Sequence, residues 1–495
     1  MSDNHTPDAD HLDTLDRDLH RLSYLEGAAQ YVARPMVGTG IALAFMVIAG
    51  FAAVIFFGQE PSRYVVVLAA VFGAYMALNI GANDVANNMG PAVGANALTL
   101  GGAIAIAAIF ESAGALLAGG DVVSTISKGI IAPETMASAD VFIWAMMAAL
   151  ISAALWVNLA TWVGAPVSTT HSVVGGVMGA GIAAAGFTAV NWPTMSAIAA
   201  SWVISPVLGG LIAAAFLALI KSRVIYQDDK IEAAKKWVPI LVGIMAGAFA
   251  AYLALKGLKR IMKIDLPTAL AIGAALGALA WLVTIPLIRK QAVGLENRNK
   301  SLKVLFGIPL VLSAALLSFA HGANDVANAV GPLAAIVHAA EFGSFSAKVA
   351  IPMWVMVIGA FGISFGLFLF GPKLIRMVGG QITRLNPMRA YCVSLSAAIT
   401  VIIASWLGLP VSSTHIAVGA VFGVGFFREW DTARRMKANS HTLPEERRIA
   451  PEERRRRKLV RRSHFMTIIA AWVITVPAAA VISGLIFIIL SAVVS

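Results

Sequence analysis

One cysteine, Cys392, occurs in 495 residues, so the chain cannot build a disulfide framework or a thiolate metal site. Charge is scarce too. Asp, Glu, Lys and Arg make up 13% of the residues, where a soluble domain carries about 25%. No nucleophile and base pair, no cluster of metal ligands and no P-loop glycine motif is present, which argues against an enzyme and against a nucleotide-driven pump, and no cofactor is expected. Residues 1–36 lack the charged-then-apolar layout of a leader, so no cleavage is expected. Acidic residues number 26 against 37 basic ones, a formal charge of +11. The basic excess sits in loops between apolar runs, the positive-inside pattern, and nucleic acid is not an expected partner.

What remains is apolar. Hydrophobic residues are 59% of the chain and the mean hydropathy is +0.80. Runs long enough to cross a bilayer recur from residue 37 to residue 494. The fold class is therefore an all-α polytopic membrane protein with about 12 transmembrane helices. Two of its stretches occur twice. Residues 81–90 read GANDVANNMG and residues 322–331 read GANDVANAVG; residues 165–171 read APVSTTH and residues 409–415 read LPVSSTH. The offsets are 241 and 244, so the chain is a duplication.

Its expected divisions are an amphipathic segment at 1–36, a first span at 37–63, repeat 1 at 64–220, connecting loops with two linking spans at 221–303, and repeat 2 at 304–495. Leu12, Leu15, Leu19 and Leu22 give the first segment one apolar stripe, suited to the membrane surface or a neighbouring subunit of a homo-oligomer. Repeat 2 carries an Arg-rich loop at 428–463, expected to face the cytoplasm and anionic headgroups. Placing the basic loops 221–236, 289–303 and 428–463 on one side puts the N-terminus in the cytoplasm and inserts the copies upside down to each other. Such an inverted-topology repeat, with broken or half helices at the midplane, is the pattern of secondary transporters. One basic stretch, 256–265, falls on the opposite side.

Asp84 and Asp325 each end an apolar run, where an ionised carboxylate costs about 2.5 to 3.5 kcal/mol on the insertion scale. Together with Asn83, Asn87, Asn324 and Asn328 they offer hard oxygens, which suit an alkali cation or a proton. Gly and Asn in the motif are expected to break the helix and free backbone carbonyls as further ligands. Proline followed by Ser and Thr opens helices, so each PVS motif predicts a half-helix whose N–H groups, with the hydroxyls of Ser168, Thr169, Thr170, Ser412, Ser413 and Thr414, form an anion site without buried Arg or Lys. His171 and His415 would donate to that anion, titrate, or simply pack between helices. Glu111 is a third embedded acid, 27 residues after Asp84; the same step from Asp325 reaches Pro352. It would pair with a cation, carry a proton or accept an interhelical hydrogen bond.

Twin GANDVAN motifs, each followed by PVS[ST]TH in an inverted duplication, resemble the inorganic phosphate transporter (PiT) family from about Tyr64 to the C-terminus. The resemblance implies a plasma (inner) membrane symporter with a phosphate site between the copies and adjacent sodium sites. Phosphate would be held by Ser168, Thr169, Thr170, Ser412, Ser413, Thr414, Asn87 and Asn328. Sodium would sit at Asp84 and Asp325 with Asn83 and Asn324; Glu111, His171 and His415 are the candidates for coupling, and Glu111 departs from members that carry a functional acid in both halves. Sodium is favoured over the proton as driving cation. A sulfate or other oxyanion permease of the same fold, a membrane phosphate sensor and a passive channel are the alternatives.

Overall fold

The computed structural model describes residues 36–58, 62–163, 167–257, 264–343, 351–381, 385–439 and 462–494. The Leu12 to Leu22 stripe, most of the Arg-rich loop, and Ala165 and Pro166 lie outside the described residues. Buried apolar sequence in a bilayer must satisfy its own backbone, and helices do so within one segment. Among the described residues regular structure is accordingly helical apart from one isolated bridge between Ile131 and Val190. Eleven helices there are long and apolar enough to span a membrane.

The first span is α1 (Met36–Phe57). Repeat 1 follows as α2 (Arg63–Asn83), α3 (Val85–Gly94), α4 (Leu100–Ala118), α5 (Gly120–Lys128), α6 (Ala139–Val163), α7 (Thr169–Ala185) and α8 (Trp192–Ile220). A π-turn, Lys221–Ile225, leads to the linking pair α9 (Lys230–Lys256) and α10 (Leu266–Gln291). The rest is a short α11 (Leu302–Leu305), then α12 (Gly307–Phe342), α13 (Met353–Gln381), α14 (Pro387–Trp406), α15 (Ser413–Asn439) and α16 (Arg462–Val494). Start signals written in the sequence are used: Thr99, Asn191, Asp229 and Asn386 each accept a backbone N–H three residues on, capping α4, α8, α9 and α14.

The repeats interlock by reciprocal contacts. Helix α2 packs on α13 as α12 packs on α4, and α7 packs on α16 as α15 packs on α8. Glycine sets the closest approaches. A Cβ on Gly114 would fall 2.0 Å from the Phe319 carbonyl oxygen, and one on Gly366 would fall 2.0 Å from that of Leu78, so each position accepts no side chain. Midway between these mirrored contacts, Ser112 Oγ and Ser364 Oγ are 2.8 Å apart. The two serines are equivalents, touching on the pseudo-two-fold axis.

Two expectations are corrected here. The GANDVAN motif does not unwind its helix in repeat 2, where α12 runs unbroken through Asn324, Asp325 and Asn328. In repeat 1 the expected break is present: α2 ends at Asn83, α3 begins at Val85, and the Asn87 N–H donates to the Asp84 carbonyl at 3.0 Å, three residues back, instead of to that of Asn83. Through the unbroken α12 the backbone carbonyls stay within the helical ladder, so in repeat 2 the motif supplies side-chain oxygens. The mirror position of Glu111 is Ile363, not Pro352: Gly322 lies against the Glu111 carbonyl as Gly81 lies against that of Ile363. The helix connection is longer in the second copy, which shifts the offset.

Candidate functional site

Half-helices α7 and α15 begin inside the bundle, as their Pro-Val-Ser starts predict. Ser168 caps α7, accepting from His171 N–H at 3.2 Å, and Ser412 accepts from His415 N–H at 3.3 Å. The two N-termini face each other. Thr170 of α7 donates to the Val411 carbonyl at 3.0 Å, and the rings of His171 and His415 lie 4.6 Å apart. The first N–H groups of both helices have no carbonyl one turn back to bond, so two positive helix ends converge on one place. Ser168, Thr169, Thr170, Ser412, Ser413 and Thr414 are all buried there.

The acidic motifs close on these helix starts with mirrored bonds. Asn87 donates to Thr414 Oγ1 at 2.9 Å, and Asn328 donates to Thr169 and Thr170 Oγ1 at 3.2 and 3.1 Å, so each motif grips the half-helix of the other repeat. Thr169 donates to Asp84 Oδ2 at 2.7 Å and Thr414 to Asp84 Oδ1 at 3.2 Å, while Ser413 donates to Asp325 Oδ2 at 3.2 Å. Ligand atoms of Asp84, His321 and Asp325 all lie within 4.8 Å of one another, and all three residues are buried. Two carboxylates this close in a dry interior repel unless a cation or a shared proton stands between them. Among the described residues nothing donates to Oδ1 of Asp325 or Oδ1 of Asn328, which leaves acceptors of the kind a hard cation takes.

Asn83 and Asn324 lie apart from that cluster. Asn83 donates to Thr161 at 2.8 Å and Asn324 to the equivalent Ser405 at 2.9 Å. Asn324 also accepts the Val411 N–H at 3.1 Å and donates to the Leu409 carbonyl at 3.2 Å, fixing the chain just before α15. His171 stacks on Trp202 with ring centroids 3.8 Å apart and its Nδ1 is 2.7 Å from Ser168 Oγ, a packed and satisfied position.

Sequence reading missed two residues. His321 Nδ1 lies 2.5 Å from Glu111 Oε2 and its Nε2 lies 2.7 Å from Asp325 Oδ2, so one imidazole bridges two buried acids. Asn88 donates to the other Glu111 oxygen at 2.9 Å. By the 241-residue offset the mirror partners of His321 and Asn88 are Ile80 and Ala329, and that of Glu111 is Ile363. Asn88, Glu111 and His321 thus have apolar equivalents across the axis, while Asp325 keeps its mirror acid, Asp84. The signal was a histidine in an apolar run directly before the second motif.

The model of a phosphate transporter family matches residues 80–483. A chain of Helicobacter pylori strain J99, which carries a provisional name as a phosphate permease, is 45% identical over 95% of this chain and 98% of its own length. The chloroplastic inorganic phosphate transporter 2-1 of Arabidopsis thaliana is 40% identical over 74% of this chain and 66% of its own. Among solved structures, one titled as the sodium-dependent phosphate transporter superposes with a TM-score of 0.78 at 35% identity, covering 87% of this chain and 99% of that one. With facing half-helices and paired acidic motifs inside the matched residues, this chain belongs to the phosphate transporter family.

Proposed function

We propose that this protein is a secondary active symporter that imports inorganic phosphate with sodium across the plasma (inner) membrane, its N-terminus in the cytoplasm. The observation that carries the reading is the convergence of two half-helix N-termini on a pair of buried carboxylates, Asp84 and Asp325. A cation between the carboxylates, with Asn328 Oδ1 as a further ligand, removes the repulsion that an anion would otherwise meet. Phosphate then takes the free N–H groups and hydroxyls of Thr169, Thr170, Ser413 and Thr414. Each ion improves the site for the other, and by linkage the coupling is reciprocal.

The bridge from Glu111 through His321 to Asp325 supports a second reading, in which a proton drives uptake. Proteoliposomes separate the two. Labelled phosphate should accumulate under an imposed sodium gradient and resist competition by excess sulfate. Accumulation under a proton gradient alone would favour the second reading, and sulfate accumulation would reassign the substrate. Asp84→Asn and Asp325→Asn should each insert normally and lose gradient-driven uptake to background. Full uptake by both variants would remove the carboxylates from the mechanism.

A further inference from the structure

Lys256 ends α9, a helix outside both repeats, and its ammonium pairs with Asp121 in the first turn of α5. The same Nζ comes within 3.5 Å of the Trp406 carbonyl at the end of α14. One turn along α5, Thr125 donates to the Gly408 carbonyl at 2.7 Å. Gly408 has φ +69°, the left-handed conformation that glycine adopts at little cost, and a Cβ there would meet Thr125 Oγ1 at 3.3 Å. Helix α5 therefore lies directly on the turn joining α14 to α15. That turn continues into Leu409 and Val411, whose backbone bonds the side chain of Asn324, the α12 residue directly before Asp325, and leads into the N-terminus of α15. One lysine thus joins three bodies: the linking helix, repeat 1 through Asp121, and repeat 2 through the end of α14, at the turn that leads into α15.

We propose that Lys256 and Asp121 form the strap that closes the mouth of the site on the side of the membrane where α9 ends, and that this pair parts whenever that mouth opens. The inference rests on the carrier reading above, since only a carrier must open there. Exposure suits the role. The Lys256 side chain is 18% exposed and that of Asp121 43%, so the parted ions regain water readily, as a fully buried pair would not. The pairing also accounts for a lysine on the face opposite the basic loops, because Asp121 cancels its charge.

The test uses the full chain in right-side-out vesicles, with Leu409→Cys as a part-buried reporter under the strap. The native Cys392 is buried, so the parent gives the background. A membrane-impermeant maleimide added outside should modify the reporter about three- to fivefold faster with Lys256→Met or Asp121→Asn, the population change expected from losing a part-exposed ion pair. Lys256→Arg, which keeps the cation, should stay at the parent rate. Equal rates in all variants would overturn the strap. Phosphate uptake in the same vesicles is read separately: uptake with unchanged labelling rejects the strap alone, whereas absent uptake rejects the carrier reading on which it rests.

Discussion

At the scale of single residues, Asp84 is held at both carboxylate oxygens, with Thr169 donating to one and Thr414 to the other. A hydrogen bond to a charged group contributes about 1.5 to 3 kcal/mol. Thr169→Val should therefore raise the sodium concentration for half-maximal uptake about tenfold, while Thr169→Ser keeps the donor and the parent value. Equal sodium dependence of all three proteins would show that the hydroxyl does not set cation affinity. Asp84, Thr169 and their mirror partners were legible in the sequence because the duplication prints them twice. His321 and Asn88 were not, for the same reason: a search guided by matching positions passes over residues that face Ile80 and Ala329 across the axis. Glu111 was visible as a buried charge, but its bond to His321, 210 residues away, depends on how α4 crosses α12.

At the scale of elements, the sequence states where half-helices begin, since proline, a capping serine and free N–H groups act locally. It does not state whether GANDVAN breaks its helix. Glycine permits a break, but the backbone of α12 stays helical because its glycines are used instead for approach, with Gly322 pressed against α4. Crossing helices in lipid are held by such small-residue contacts. Gly114→Leu or Gly366→Leu should wedge these crossings apart and cost more than the roughly 1 to 3 kcal/mol of ordinary overpacking, because backbone and not a side-chain tip stands in the way. Gly101, on an open face of α4 where an added Cβ would meet nothing within 4 Å, is the control. Melting in detergent should show a large loss for the first two and little change for Gly101→Leu; equal melting would mean that the crossings yield to a side chain.

At the scale of the whole molecule, the repeats are also tied where α8 ends. Lys221 Nζ lies 2.6 Å from Asp431 Oδ2, Tyr226 donates to the same carboxylate, and the Arg435 guanidinium sits 3.2 Å from the Tyr226 ring centre. These groups lie past the apolar parts of α8 and α15. Burial alone would raise the Asp431 pKa, but the bonds from Lys221 and Tyr226 and the charges of Lys221 and Arg435 outweigh it and hold it below the usual carboxylate range. A carboxyl with a lowered folded pKa stabilises above its unfolded value, near about 4, and loses that contribution as pH falls through the folded value. The melting difference between the parent and Asp431→Asn should therefore stay constant from roughly neutral pH down to about 5 and shrink below about 4. A difference that grew on acidification would contradict the depressed carboxyl.

The contact of Ser112 with Ser364 carries a lesson about how the two halves drifted after duplication. A residue on the axis meets its own twin, so a replacement in one half arrives against an unreplaced copy in the other. One position away that constraint vanishes: Glu111 and Ile363 each face foreign neighbours and have gone separate ways. Chemical asymmetry, the acid and imidazole present in one half alone, lies beside the axis, while the serines upon it are alike.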